Sequence, residues 1–144
     1  MRHYSREIEA AVKYIHLHLH VPVTLEETAE AAGISASYLS RLFKKETGML
    51  FVDYIQKERI EAACNMLTYS DYTAAQISEY LCFSTQSYFI KIFRKYTGTT
   101  PANIKNIKFR TGNNIGIKSF LIIYEDCYRS RNRTEIKIFL SVPL

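Results

Sequence analysis

Cysteine is scarce in this chain. Its three residues in 144, Cys64, Cys82 and Cys127, are far apart, odd in number and without a C-x-x-C pair. That spacing gives no disulfide framework and no pattern for a zinc or redox site, so the thiols read as free groups of a reducing compartment. Long apolar runs are missing too. The longest, Phe120 to Tyr124, is far short of the roughly 20 residues that cross a bilayer, and the opening Met1-Arg2-His3-Tyr4 lacks the apolar stretch of a secretory signal. A soluble, cytoplasmic protein with no membrane partner is expected. Glycine and proline, five and three in number, leave 51–67 free of either. Within that stretch Asp53, Glu58 and Glu61 stand at ordinary salt-bridge spacing to Lys57 and Arg59. No nucleophile or acid–base pair accompanies them, so no catalytic site and no enzyme is expected.

What is present begins with apolar residues, 47% of the chain, enough for a real core at this length. The formal charge is +5, from 19 Lys and Arg against 14 Asp and Glu. Its distribution says more than its sum. The stretch 35–48 carries Arg41, Lys44 and Lys45 against Glu46, and 84–98 carries Lys91, Arg94 and Lys95 with no acid. Two basic stretches in matching contexts favour a polyanionic partner.

Those contexts are one duplicated unit. Ser37-Tyr38-Leu39, Phe43-Lys44-Lys45 and Thr47-Gly48 recur fifty positions on as Ser87-Tyr88-Phe89, Phe93-Arg94-Lys95 and Thr97-Gly98. Upstream, Ala29, Gly33, Ile34 and Ser35 match Ser78, Cys82, Phe83 and Ser84 at a shift of forty-nine, so the second copy carries one extra residue in its turn. Thr24 with Glu27, and Thr73 with Gln76, fit the capping box, in which two side chains satisfy free amides of a helix's first turn. Gly33 suits a left-handed helix stop and Ser35 an N-cap. Each copy therefore reads as helix, sharp turn, helix.

In the second helix of copy one, Tyr38, Leu39, Leu42 and Phe43 form an expected inner stripe, leaving Ser37, Ser40, Arg41 and Lys44 outward. In copy two, Phe89, Ile92, Phe93 and Tyr96 face inward, with Gln86, Ser87, Ile90, Lys91 and Arg94 outward. Between the copies, Phe51, Tyr54, Ile55, Ala62, Ala63, Met66 and Leu67 predict one amphipathic helix, about 25 Å long from 51 to 67. Ile8, Ala11, Val12, Ile15 and Leu19 predict an opening helix closed by Pro22. His16, His18 and His20 include an i, i+4 pair, as zinc ligands do, but lack the following acid or a third ligand. They read as a helix end, with His20 favouring the negative C-terminus, and neither metal nor cofactor is expected.

The expected class is all-α: two helix-turn-helix subdomains joined by a long linker helix, homeodomain-like. A helical domain spans 1–108, with the first helix-turn-helix at about 24–48, the linker at about 50–68 and the second at about 73–98. The turn cluster Thr111-Gly-Asn-Asn114 starts a different region, 109–144, of unassigned role. There Ile115 to Tyr124 and Glu135 to Val142 read as a weak hairpin or a disordered tail. The major groove of DNA admits one α-helix, and two such helices on one chain could read two adjacent groove segments of an asymmetric site without dimerisation.

From about Thr24 to Lys105 the chain resembles the DNA-binding domain of the AraC family of bacterial regulators. The resemblance is carried by Ala29-Glu-Ala-Ala-Gly-Ile-Ser35, Tyr38-Leu-Ser-Arg-Leu-Phe-Lys-Lys-Glu-Thr-Gly48, Tyr54-Ile-Gln-Lys-Glu-Arg59, Ala62-Ala63, Phe83-Ser-Thr-Gln-Ser-Tyr-Phe89 and Phe93-Arg-Lys-Tyr-Thr-Gly-Thr-Thr-Pro101. It implies a transcription regulator, activator or repressor, that binds double-stranded DNA and often works through RNA polymerase. Base-contacting positions so implied are Ser37, Ser40 and Arg41, then Gln86, Ser87, Ile90 and Lys91. Lys44, Lys45, Arg94 and Lys95 would meet phosphates. Cys82 departs from the family's glycine, Ser78 from its alanine, and Ile104-Lys105 from an aromatic-Arg pair. Met1 lies only 23 residues ahead of the first capping box, so either a compact regulator or a fragment lacking a sensor domain is expected. The alternative is a module that contacts RNA polymerase or another protein without tight DNA binding.

Overall fold

The computed structural model describes residues 3–106, and within them every regular element is a helix. In chain order these are α1 (Arg6–Leu17), α2 (Leu25–Ala32), α3 (Ala36–Thr47), α4 (Phe51–Tyr69), α5 (Ala74–Tyr80) and α6 (Gln86–Thr97). A last helical stretch covers 101–106. The fold is all-α; the hairpin or tail expected over 109–144 lies outside the described residues.

The two copies are built by the same local chemistry. Thr24 and Thr73 each accept from the amide three residues on, while Glu27 and Gln76 reach back to the cap's own amide, completing both capping boxes. Gly33 then takes a left-handed conformation, φ 72°, and the pair Gly33 N–H to Glu30 O and Ile34 N–H to Ala29 O closes α2. Cys82 N–H to Glu79 O and Phe83 N–H to Ser78 O repeat that pattern, with Cys82 at φ 61°. Ser35 and Thr85 cap α3 and α6 through Tyr38 N–H and Tyr88 N–H. The caps are fifty apart while the left-handed residues are forty-nine apart, so the extra residue of the second turn is Ser84. α3 and α6 end alike: the Thr47 and Thr97 hydroxyls donate to Phe43 O and Phe93 O and accept from Met49 N–H and Thr99 N–H. Gly48 and Gly98 turn left-handed beside them. The Thr-Gly repeat is thus a helix stop.

Two apolar cores result. The first gathers Ile8, Ala11 and Ile15 of α1, Ala29 of α2, Leu39 and Phe43 of α3, and Phe51, Tyr54 and Ile55 of α4. The second gathers Ile60, Ala63, Cys64 and Leu67 of α4, Ile77, Leu81, Phe89, Ile92, Phe93 and Ile104. The linker is longer than 51–67 and is not a helix with one apolar stripe. At about 100° per residue, Phe51, Tyr54 and Ile55 centre nearly opposite Ile60, Ala63, Cys64 and Leu67, so its two halves bury opposite faces in different cores. α1 ends at Leu17, five residues before Pro22. Leu19, expected on that helix, instead lies in the connection to α2 and packs on both cores.

Candidate nucleic-acid interface

α3 and α6 are each 12 residues long, entered from a hydroxyl cap and left through a glycine. They present matching outer faces. Ser37, Ser40, Arg41, Lys44 and Lys45 are exposed on α3, as are Gln86, Ser87, Lys91, Arg94 and Lys95 on α6. Ile90 departs from the expected outward set: it is half-buried and packs on the second core, at the edge of the Phe89–Phe93 stripe.

The acid expected to offset the first basic stretch is directed elsewhere. Glu46 accepts from Ser5 N–H at 2.8 Å and from the Ser5 hydroxyl at 2.6 Å, tying α3 to the cap of α1. Arg41, Lys44 and Lys45 therefore face solvent without a carboxylate among them. Lys44 Nζ donates to Gly48 O at 2.9 Å, which caps its own helix and holds the ammonium at the C-terminal end of the face. Arg41 Nε rests on Ser37 O at 3.4 Å.

Tyr38 was expected in the core and is 46% exposed. The inner stripe of α3 includes the buried Thr47 with Leu39 and Phe43. Its centre then lies opposite Arg41 and Lys45, and Tyr38 falls beside those cations. Tyr88 occupies the same place on α6 and is also exposed; its hydroxyl accepts from Gln56 Nε2 at 2.8 Å. These two tyrosines were missed as surface candidates. The Ser-Tyr repeat is the available signal; counting an aromatic ring as core puts Tyr38 inside, and Tyr88 is assigned to neither face.

The three histidines go to different partners. His16 Nε2 pairs with Glu58 Oε2 at 2.9 Å, and that hydrogen bond raises the His16 pKa. His18 occupies the C-cap of α1, where His20 was expected, with Nδ1 at 2.7 Å from Tyr14 O. His20 stacks on Tyr80, centroids 5.8 Å apart. Cys64 is sealed in the second core, and burial pushes its thiol pKa up.

A family model described as a helix-turn-helix domain matches residues 28–107, more than half of the chain. The regulatory protein PocR of Salmonella typhimurium is 36% identical over 98 residues, 68% of this chain but only 32% of PocR. The chain thus spans about a third of that relative's length. Among solved structures, the C-terminal domain of AraT, a response regulator from Geobacillus stearothermophilus, is 33% identical with a TM-score of 0.65, covering 71% of this chain and 85% of that one. The DNA-binding domain of the global transcriptional factor AdpA, solved with a target DNA, shares the fold at 23% identity and a TM-score of 0.68, covering 76% and 97%.

Proposed function

Since the chain belongs to the AraC-type helix-turn-helix family, we propose that it is a cytoplasmic transcription regulator that binds double-stranded DNA as a monomer. α3 and α6 enter two adjacent major-groove segments on one face of an asymmetric site. The observation that carries this reading is the pair of equally long helices, each entered from a hydroxyl cap and left through a glycine, whose exposed faces are polar and basic.

Roles follow from side-chain chemistry. Arg41 can donate two parallel hydrogen bonds to a guanine edge; Ser37, Ser40, Gln86, Ser87 and Lys91 offer further donors and acceptors, and Ile90 offers its outward part to a thymine methyl. Lys44, Lys45, Arg94 and Lys95 hold phosphates, strengthening binding without choosing sequence. Selecting bound duplexes from a random library with the purified chain and with Arg41→Ala tests this. Two conserved blocks are expected, and the first relaxes in the variant. Absence of any enriched motif would end the reading for this chain.

A second reading, contact with RNA polymerase or another protein, draws on an open cavity of about 580 Å³ lined by Met66, Tyr72, Gln76, Glu79 and Tyr80. Salt separates the two readings: binding to phosphates weakens steeply as salt rises, whereas an apolar protein contact does not.

A further inference from the structure

The two subdomains touch directly as well as through α4. Leu19, in the connection between α1 and α2, packs against both cores. Its neighbour His20 stacks on Tyr80 of α5 with planes 19° apart. Arg59 ties that connection to the middle of α4, donating from Nε to Leu19 O at 3.2 Å and from Nη2 to Val21 O at 3.0 Å. Its guanidinium is half-buried, and burial lowers its pKa. Elsewhere, α6 reaches back to the first half of α4, Tyr96 donating its hydroxyl to Asp53 O at 3.3 Å and Tyr88 accepting from Gln56. α4 changes its buried face in the middle, so neither core alone grips its whole length. A wedge at that midpoint is where the angle between subdomains can be set.

We infer that Arg59, by pinning the Leu19–Val21 segment between the subdomains, is a positioning residue that fixes the angle between α3 and α6, and with it the spacing between the two DNA blocks the protein accepts. The inference rests on the two-block reading above. A planar fork with several fixed donors suits the task, because it satisfies two carbonyls of one loop at once; a lysine ammonium is a single point. One inserted base pair displaces the second block by about 3.4 Å and turns it by roughly 35°. A rigid two-headed binder then loses one head's contribution, whereas a loosely joined one retains much of it.

The test measures binding of the full chain to three duplexes, carrying the selected site, the same site with one base pair inserted between blocks, and one block alone. Wild type is expected to discriminate against the insertion about tenfold or more, and Arg59→Met, which keeps the apolar stem, to cut that to about threefold with single-block binding unchanged. Arg59→Lys should recover only part of the discrimination. His20→Ala, at an exposed position outside both cores, should move the same way by less and serves if Arg59→Met fails to fold. Full discrimination in a folded Arg59→Met, or in His20→Ala where that variant stands in, overturns the inference. So does a wild type already indifferent to the insertion, although its two blocks would still stand. A wild type that selects no blocks refutes the underlying reading instead.

Discussion

Cys82 carries a side chain through the turn that Gly33 makes in the other copy, at nearly the same φ and with the same pair of backbone hydrogen bonds. A left-handed conformation costs a side-chain-bearing residue about 1–2 kcal/mol, while glycine's extra freedom in the unfolded chain returns part of that. Cys82→Gly is therefore expected to stabilise by about 1 kcal/mol, read as a higher urea midpoint at unchanged slope; a lower midpoint would mean that the thiol's packing outweighs the strain. His16 has the opposite character, since its contribution depends on pH. The hydrogen bond to Glu58 raises its folded pKa above 6.5, so the contribution is complete below that value and lost as pH climbs through the raised one. The stability difference between wild type and His16→Gln should shrink from pH 6 towards pH 8, in unfolding curves at several pH values. Residue identities showed the strained turn, because a one-sided match with Gly33 placed Cys82 there. They did not show that Glu46 clamps Ser5, an encounter across 41 residues that no local pattern encodes.

At the scale of elements, start and stop signals were legible because they act within four residues: both capping boxes, the left-handed Gly33 and the Ser35 cap stand where local chemistry puts them. The linker was legible as a helix, from its freedom from glycine and proline, but not as a strut with two faces. A search for one stripe finds Ala62 and Met66, which are half-buried, and passes over Ile60 and Cys64, which are core. The reversal of face follows from packing against two separate cores. Each half of α4 should therefore answer to its own subdomain. Leu67 is fully buried among second-core residues only, and Leu67→Ala should cost about 2–5 kcal/mol there. Amide exchange in the variant should accelerate in α5 and α6 while α2 and α3 keep their protection. Equal loss in both halves would show instead that the two cores open as one unit.

At the scale of the whole molecule, five net positive charges matter less than where carboxylates are kept away. Glu46 is turned to α1, Glu58 to His16, and the faces of α3 and α6 keep Lys45 and Arg94 exposed at their C-terminal halves. In the proposed complex each of these two cations neutralises a phosphate and releases its condensed counterion. Each such contact adds about 0.9 to the slope of log affinity against log salt. Lys45→Gln with Arg94→Gln should therefore lower the slope by about 2 while leaving the selected motif intact, because phosphate contacts carry no base information. Binding isotherms between low and moderate salt measure the slope, and selection with the double variant measures the motif. An unchanged slope would place both side chains away from the backbone of the DNA, whereas a shallower slope with an altered motif would make at least one of them a reader of bases.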